Sequence, residues 1–547
     1  MRKFFSRLDQ TALINTENAR AAWLERAAFI FLALMVLAAP HSIAATQTAW
    51  ILGMLAWIAR LFIKPRPALV RTPLDAALWA FFGWSAVTSV FSYAPVISLD
   101  KLRGVALFLI FYFVVNVVRT KRAAVFLTLA LVASCMVNVL LVPIERLIGR
   151  GVEIHGVRPE SPLAEALLME GDALLKANGK KIKTPEELVA EIERGDSTKI
   201  EFYRPDFYYA VEVKRENLLG GTNALERLGI ENWRRSHNWR STGFFGHWTT
   251  YGEVLQLIAS LAFGLLIALI GGRNFSTRKR KDAEKTENSD AQSENSASAR
   301  PLRIPVLLLL FSLGAMLFAL LLNGTRASQG GLMISAFAIV LLSRSRKIIL
   351  AFAAIAVPLV VAGSIYLQQS RNVGFVDQKD ESTRYRQTMY RDGLRLWTES
   401  PRHFILGVGM DSIKKYWREW NLFEGGNLPV GHFHSTPLQL AVERGLPSLL
   451  LWLWILWLYA RMLIRGISDY RHRNTKNTQS EPSSSKSKIE LGVLLGVFGG
   501  FLGFAASGLV HYNLGDQEVA MIFFLLMGLS FVLVRRAPIY RADSVRA

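Results

Sequence analysis

His434 stands at the head of an apolar run in FHSTPLQLAVERG (433–445), directly after a polar stretch rich in Arg, Trp and Gly. An imidazole titrates near neutral pH, and at a membrane interface it costs little to place and can meet a charged headgroup. Two arginines occupy comparable places. Arg240 lies in WRSTGFFGHWTTYGEVL (239–255) just before another apolar run, and Arg326 lies in NGTRASQGG (323–331), a tight loop between two such runs. A guanidinium is permanently charged, and its planar fork grips phosphate oxygens in pairs. Arg240 and Arg326 at one membrane face would clamp a diphosphate leaving group and offset its developing charge. Gly330 belongs to the TRASQGG segment, read as a turn whose backbone approaches phosphate closely. His434 would take a proton from an acceptor hydroxyl as a general base, or serve electrostatically as an imidazolium beside the diphosphate. The chemistry these residues suggest acts on a lipid-linked anionic substrate.

Plainer readings stand beside these. An arginine near the end of a membrane span often only snorkels to the interface. His247 and His432 suit local hydrogen bonds. Arg384, Arg386, Arg391 and Arg395 recur at helical spacing in TRYRQTMYRDGLRLW (383–397). They form either the solvated face of an interfacial helix or, for Arg384 and Arg391 in particular, contacts to sugar or phosphate. Other chemistries lack their residues. The external loops hold no Asp-x-Asp pair and no His/Glu metal cluster, and the chain has no G-x-x-x-x-G-K-[ST], which disfavours a metal-dependent nucleotide-sugar transferase and ATP hydrolysis. Carboxylates are scarce within the apolar runs, which argues against a proton-coupled transporter.

The elements that must position these residues are membrane helices. The chain has 547 residues, of which 51% are hydrophobic. Its mean hydropathy is positive, and runs of about 20 apolar residues recur. The lone Cys135 excludes an internal disulfide and C-x-x-C sites. The net charge of +21 comes from short basic clusters between spans, so it reflects membrane orientation and not nucleic-acid binding. The N-terminus looks superficially like a signal peptide, but its long basic region and the span that follows at once favour a retained first helix.

Spans are expected at 27–45, 47–63, 74–92, 102–118, 123–142, 250–270, 304–322, 328–343, 348–366, 436–464, 490–509 and 518–534, the 436–464 stretch being long enough to tilt or lie partly in the interface. The basic loops 64–71, 119–122, 278–281, 344–347 and 471–476, with Arg535 and Arg536, share one side, cytoplasmic by the positive-inside rule. The expected fold is therefore mainly α, a polytopic helical membrane protein of about twelve transmembrane helices. It runs from a cytoplasmic N-terminus (1–26) through helices over 27–145 and 236–366, a large periplasmic loop (367–435), helices over 436–535 and a cytoplasmic tail (536–547). Two cytoplasmic loops, 276–300 and 474–488, have the composition of disordered linkers.

The external segment 150–216 alternates β-like runs with two helical stretches, Glu160–Met169 and Pro185–Arg194, and reads as a small α+β insertion. Leu163, Leu167, Leu168, Leu188, Val189 and Ile192 follow helical spacing and are its expected core. SPLAEALLMEGDALLKANGKKI (161–182) resembles the PDZ domains of envelope proteases, with GRGVEI (149–154) as a loose match to their carboxylate loop. The resemblance implies binding of a peptide or protein partner by strand addition; a structural spacer or docking module is the alternative.

The membrane part also resembles a known family. R-x-x-G-F (240–244), T-R-x-S-x-G-G (325–331), P-x-x-F-x-x-G-x-G (401–409) and H-S-T-x-L-Q-L-x-x-E-x-G (434–445) look like the O-antigen ligase and polymerase superfamily in order and sidedness. The resemblance covers about 27–145 and 236–535. It implies metal-independent glycosyl transfer, without a cofactor, on the periplasmic face of the bacterial inner membrane. The implied donor is a glycan on undecaprenyl diphosphate among membrane lipids, and the implied acceptor is lipid A–core or another hydroxyl-bearing molecule. A polysaccharide polymerase and a protein O-oligosaccharyltransferase fit the same residues; a non-catalytic lipid-glycan exporter is the rival of a different class. Carried over, Arg240 and Arg326 are the paired arginines and His434 the essential histidine. Apart from the resemblance, Gly330, Arg384, Arg391 and Gln439 are expected on the substrate. Ser435 stands where the family usually has Asn, and the insertion before Arg240 is outside its usual plan.

The charge alternation makes a direct prediction. Reporter fusions at Asn288 and Asn178 will report opposite sides, with Asn288 cytoplasmic and Asn178 external. The same side for both refutes the topology.

Overall fold

The computed structural model describes residues 9–14, 18–204, 207–237, 239–284, 303–343, 345–371, 381–428, 430–476 and 485–535. Among these, eight helices are long and apolar enough to cross a membrane: Ala19–Ala38, Lys121–Ile148, Trp248–Ile270, Ile304–Asn323, Arg326–Ser343, Thr436–His472, Lys486–Ser507 and Gln517–Val534. The remaining segments expected to span also fall on helices, namely Ile43–Leu61, Asp75–Val90, Leu109–Val117 and Arg346–Arg371. The third of these is short because the stretch is divided into Pro95–Val105, a 3-10 turn and Leu109–Val117. The protein is a polytopic helical membrane protein with one small sheet. Parts of the expected linkers and loops (285–300, 477–484, 372–380) lie outside the described residues, as do 1–8 and 536–547.

The chain divides into two compact units, one of Met1–Met136, Thr249–Leu320 and Thr325–Ala547, the other of Val137–Trp248 and Leu321–Gly324. In the first, five helices matter for function: α1 (Trp248–Glu284), α2 (Arg326–Ser343), α3 (Glu381–Thr398), α4 (Thr436–Lys476) and α5 (Ser485–Ser507). Apolar helices gain little from burial against one another in lipid, so close van der Waals packing and hydrogen bonds must hold them. The α5 sequence GVLLGVFGGFLGF supplies a bare surface for this. A methyl group on Gly496 would sit 2.6 Å from Leu261 Cα of α1, and one on Gly499 would sit 2.5 Å from Ile339 of α2. At Gly503 it would lie 2.1 Å from Gln256 Nε2 and 2.5 Å from the Gly331 carbonyl, touching both neighbours. Where they meet, Gln256 Nε2 donates to Ser335 Oγ at 2.8 Å, a buried polar bond between α1 and α2.

The long stretch after His434 is one 41-residue helix interrupted at Gly445, whose φ of 72° and ψ of 176° leave the helical region just before Pro447. The break frees backbone carbonyls, and the G-x-G segment takes them. Val408 N–H donates to Val442 O at 2.9 Å and Gly409 N–H to Glu443 O at 2.8 Å. Only glycine permits this approach: a Cβ on Gly445 would fall 1.9 Å from the Ile405 carbonyl oxygen.

The second unit contains a sheet of order β5-β4-β2-β1-β6, built from β1 (Arg150–Val157), β2 (Ala173–Ala177), β4 (Ser197–Arg204), β5 (Phe207–Lys214) and β6 (Ile230–Ser236), with β3 (Lys180–Lys181) paired to β2. Val152, Ile154, Leu174, Ile200 and Phe202 form its core with Leu163, Leu168, Leu188, Val189 and Ile192. Thr184 caps the Pro185–Ile192 helix by accepting from Glu187 N–H. Two details differ from the sequence expectation. The first helix is only Pro162–Glu165. Leu167 then turns out of the core with φ 62° and is 74% exposed. The sheet also runs past residue 216, because β6 pairs along β1.

The glycine contacts yield a prediction. Gly496→Leu will overpack the α1–α5 contact at a cost of about 1–3 kcal/mol or more, and will lower the thermal midpoint of the detergent-solubilised protein. An unchanged midpoint would show that these helices are not in such close contact.

Candidate functional site

His434 is half-buried and has a left-handed backbone, φ 47°, uncommon for a non-glycine residue and the kind of local strain that persists where surroundings impose it. Its surroundings do so. His434 N–H donates to His432 Nδ1 at 3.2 Å, and its carbonyl accepts from Tyr390 Oη at 3.2 Å. The ring shares a hydrogen bond of 2.8 Å between Nε2 and the Tyr385 hydroxyl. Both tyrosines come from α3. Burial pushes the Tyr385 hydroxyl up to about 12, against the opposing charge of Arg386, and raises Tyr390 as well. Both therefore remain phenols at neutral pH.

The segment carrying His434 is anchored on each side. Before it, Phe433 N–H donates to Gln439 Oε1 at 2.8 Å, and Gln439 Nε2 donates to Glu443 Oε1 at 2.9 Å. After it, Thr436 N–H donates to the carbonyls of Gly508 and His511, at 2.7 and 3.0 Å. Gln439 is 1% exposed with both ends of its amide engaged. It holds the loop in place, and the substrate contact expected from sequence does not fit a side chain so enclosed.

Arg326 is the first residue of α2, not part of a loop, with the preceding Thr325 carbonyl accepting from Gln329 N–H at 3.0 Å. Arg326 thus opens a helix N-terminus, where free amides and the helix dipole favour an anion. The expected turn over TRASQGG is helical. Gly330 lies within the helix with open space where a Cβ would be, while a Cβ on Gly331 would fall 2.9 Å from the Gly503 carbonyl oxygen. A helical backbone spends its amides internally, so Gly330 offers room and not a phosphate-binding turn. Gly331 against Gly503 and Thr436 against Gly508 bring Arg326 and His434 to the same end of α5.

Arg240 belongs to the second unit. Its Nε and Nη2 donate to the carbonyls of Asn323 and Gly324, at 3.2 and 2.6 Å, and its guanidinium lies 5.1 Å from the centre of the Trp248 ring. Part of its fork therefore already orders the segment that leads into Arg326. Arg384 and Arg391 are exposed on α3, the helix whose other side brings Tyr385 to the histidine.

Sequence reasoning missed four residues here: Tyr385, Tyr390, His511 and Glu253. Their signals were a pair of tyrosines among the α3 arginines, an acid opening an apolar run, and a histidine in a short loop between spans.

Residues 311–453 match a family model described as O-Antigen ligase. Two curated relatives match shorter stretches, each named Magnetosome formation protease MamE. The one from Magnetospirillum gryphiswaldense is 38% identical over 86 residues, 15% of this chain and 10% of the relative. The one from Paramagnetospirillum magneticum is 34% identical over 87 residues, 15% of this chain and 11% of the relative. The chain spans about a tenth of the length of these curated relatives.

Gln439→Leu tests the scaffold. It strands the Phe433 amide and one Glu443 contact, at about 1–3 kcal/mol for each buried group left unpaired. The thermal midpoint will fall and turnover with it. Retained stability would mean that the amide does not hold the histidine loop.

Proposed function

With a domain of the O-antigen ligase family at residues 311–453 as the premise, we propose that this protein transfers a glycan from undecaprenyl diphosphate to a hydroxyl of lipid A–core, at the periplasmic face of the inner membrane. Members of that family are membrane glycosyltransferases. The observation that carries the reading is the convergence of His434 and Arg326 on one end of α5, with the histidine fixed by Tyr385.

In this reading the acceptor oxygen attacks the anomeric carbon while His434 takes its proton. The bond from that carbon to the diphosphate oxygen breaks, and the electron pair leaves with the carrier. Arg326, helped by the N-terminus of α2, binds the diphosphate charge, and Arg240 is assigned to the same group. Arg384 and Arg391 contact the glycan or phosphate from the exposed side of α3. The reaction uses neither nucleotide nor divalent metal, and the β-rich unit serves as a PDZ-like module for a protein partner.

Purified full-length protein, donor lipid and lipid A–core in EDTA, without nucleotide, will give a covalently ligated product. His434→Ala will lower turnover by about 10²–10⁴-fold, the usual loss for a general base, while still retaining donor. Arg326→Lys will also fail, because an ammonium cannot reproduce the guanidinium fork. Lipid-glycan movement without bond formation, or product only when metal is added, would reject the reading. Product with a growing glycan or a protein in place of lipid A–core would reassign the acceptor.

A further inference from the structure

We propose that Glu253 and His511 form a carboxylate–imidazole pair that receives the proton from His434 during transfer, which rests on the glycosyl-transfer reading above. Glu253 lies one turn into α1 and is 2% exposed. Its Oε1 shares a 2.8 Å hydrogen bond with His511 Nδ1, and His511 is 7% exposed. A carboxylate in a dry helix bundle is costly unless a partner offsets its charge. An imidazolium at His511 is such a partner, and the hydrogen bond to Glu253 holds the ring where a proton arriving on it is best accommodated.

His511 is also held by its backbone. Its carbonyl accepts from both Thr436 N–H and Thr436 Oγ1, at 3.0 and 3.2 Å. Thr436 is two residues after His434, so the two histidines are fixed to the same short stretch of chain. Their ring centroids are 6.4 Å apart, a distance that one bridging water spans. With Nδ1 committed to Glu253, the tautomer of His511 is set from behind, as a carboxylate sets the imidazole in a catalytic triad.

The step conserves charge and protons. The acceptor hydroxyl loses its proton to His434 as the new glycosidic bond forms. His434 passes a proton to His511 beside Glu253 and returns neutral, and His511 then gives a proton up to bulk water before the next acceptor is activated. Of the neighbouring titratable groups, His434 lies beside His511, with His432 and Tyr512 beyond it, and Asp516 is near enough to Glu253 to feel its charge, with Glu518 beside Asp516. Burial, with the Glu253 and Glu518 charges, raises the Asp516 carboxyl well above its usual range. Glu253 and His511 act through His434 and are positioning residues.

The test uses the full-length protein in the transfer assay. Glu253→Gln and His511→Gln will each lower kcat by about tenfold to a hundredfold, within the range of acid–base contributions, while the donor KM stays within about threefold. The double variant will be no slower than the slower single variant, because the two residues act as a unit. Imidazole in the buffer will restore turnover to His511→Ala and not to Glu253→Gln. Unchanged kcat in the single variants, additive losses in the double variant, or no rescue by imidazole would overturn the pair. If the Gln variants do not elute as monodisperse protein, Glu253→Asp decides: it keeps the charge and must retain turnover within about threefold, and a tenfold loss overturns the proposal. A wild-type protein that makes no ligated product sinks the transfer reading and this inference together. An active wild type with unaffected variants sinks this inference alone.

Discussion

The glycine face of α5 is the constraint on which the candidate site depends. Three helices meet along it at distances that exclude even a methyl group, and the contact at Gly503 touches α1 and α2 at once. Without hydrophobic gain between helices in lipid, this proximity rests on dispersion and on the buried Gln256–Ser335 hydrogen bond. The ends of the helices are then not independent. Arg326 starts α2, Glu253 lies near the start of α1, and Thr436 docks on the carbonyls of Gly508 and His511 just past α5. The charged and titratable groups are brought together because the apolar segments beneath them allow one close packing.

The second device is the interruption at Gly445. An unbroken helix would take up the Val442 carbonyl itself, while the Glu443 carbonyl would face Pro447, which has no N–H to give it. The break releases the carbonyls of Val442 and Glu443 to Val408 and Gly409. The same segment reaches further: Asp411 N–H donates to Glu443 Oε1 at 2.9 Å. Burial alone would raise the Asp411 carboxyl, but Lys101 and Lys414 hold it below its usual range. A short helical piece carrying Gln439 and Glu443 is thereby tied on both sides, and His434 at its mouth inherits that rigidity.

The sequence made the membrane helices legible, because about 20 consecutive apolar residues admit few other structures. It also singled out His434 and Arg326, since a titratable or charged residue at the edge of an apolar run is conspicuous. The roles of their neighbours were harder to read. TRASQGG has the composition of a turn, yet its glycines pack a helix against α5, because tertiary contact overrides local propensity. Gln439 falls in the most informative motif and looks like a ligand-binding amide, but burial engages both its ends inside the fold. Leu167 keeps the spacing of a core leucine and leaves the core because its helix stops after one turn. β6 was not foreseen because its partner is the distant β1, with Ile230 opposite Val157, a register that cannot be known without the sheet.

Glu253 and His511 show why polar residues in apolar runs resist a linear reading. They are 258 residues apart, and each alone looks incidental. Only the fold sets them face to face. Arg444 gives the same lesson without any role in the proposed chemistry. It is 3% exposed in a membrane helix, where it donates to Ser85 Oγ and the Tyr512 hydroxyl while its carbonyl accepts from Trp84 Nε1 at 2.8 Å. A buried charge with several partners is costly to move, since displacement would leave it unpaired in a low dielectric. Such residues fix the loop 510–516 relative to α4 with little freedom. That loop carries His511, so its distance to His434 is set by buried polar contacts such as Arg444 to Tyr512 and Thr436 to the His511 carbonyl, and not by the exposed arginine side of α3.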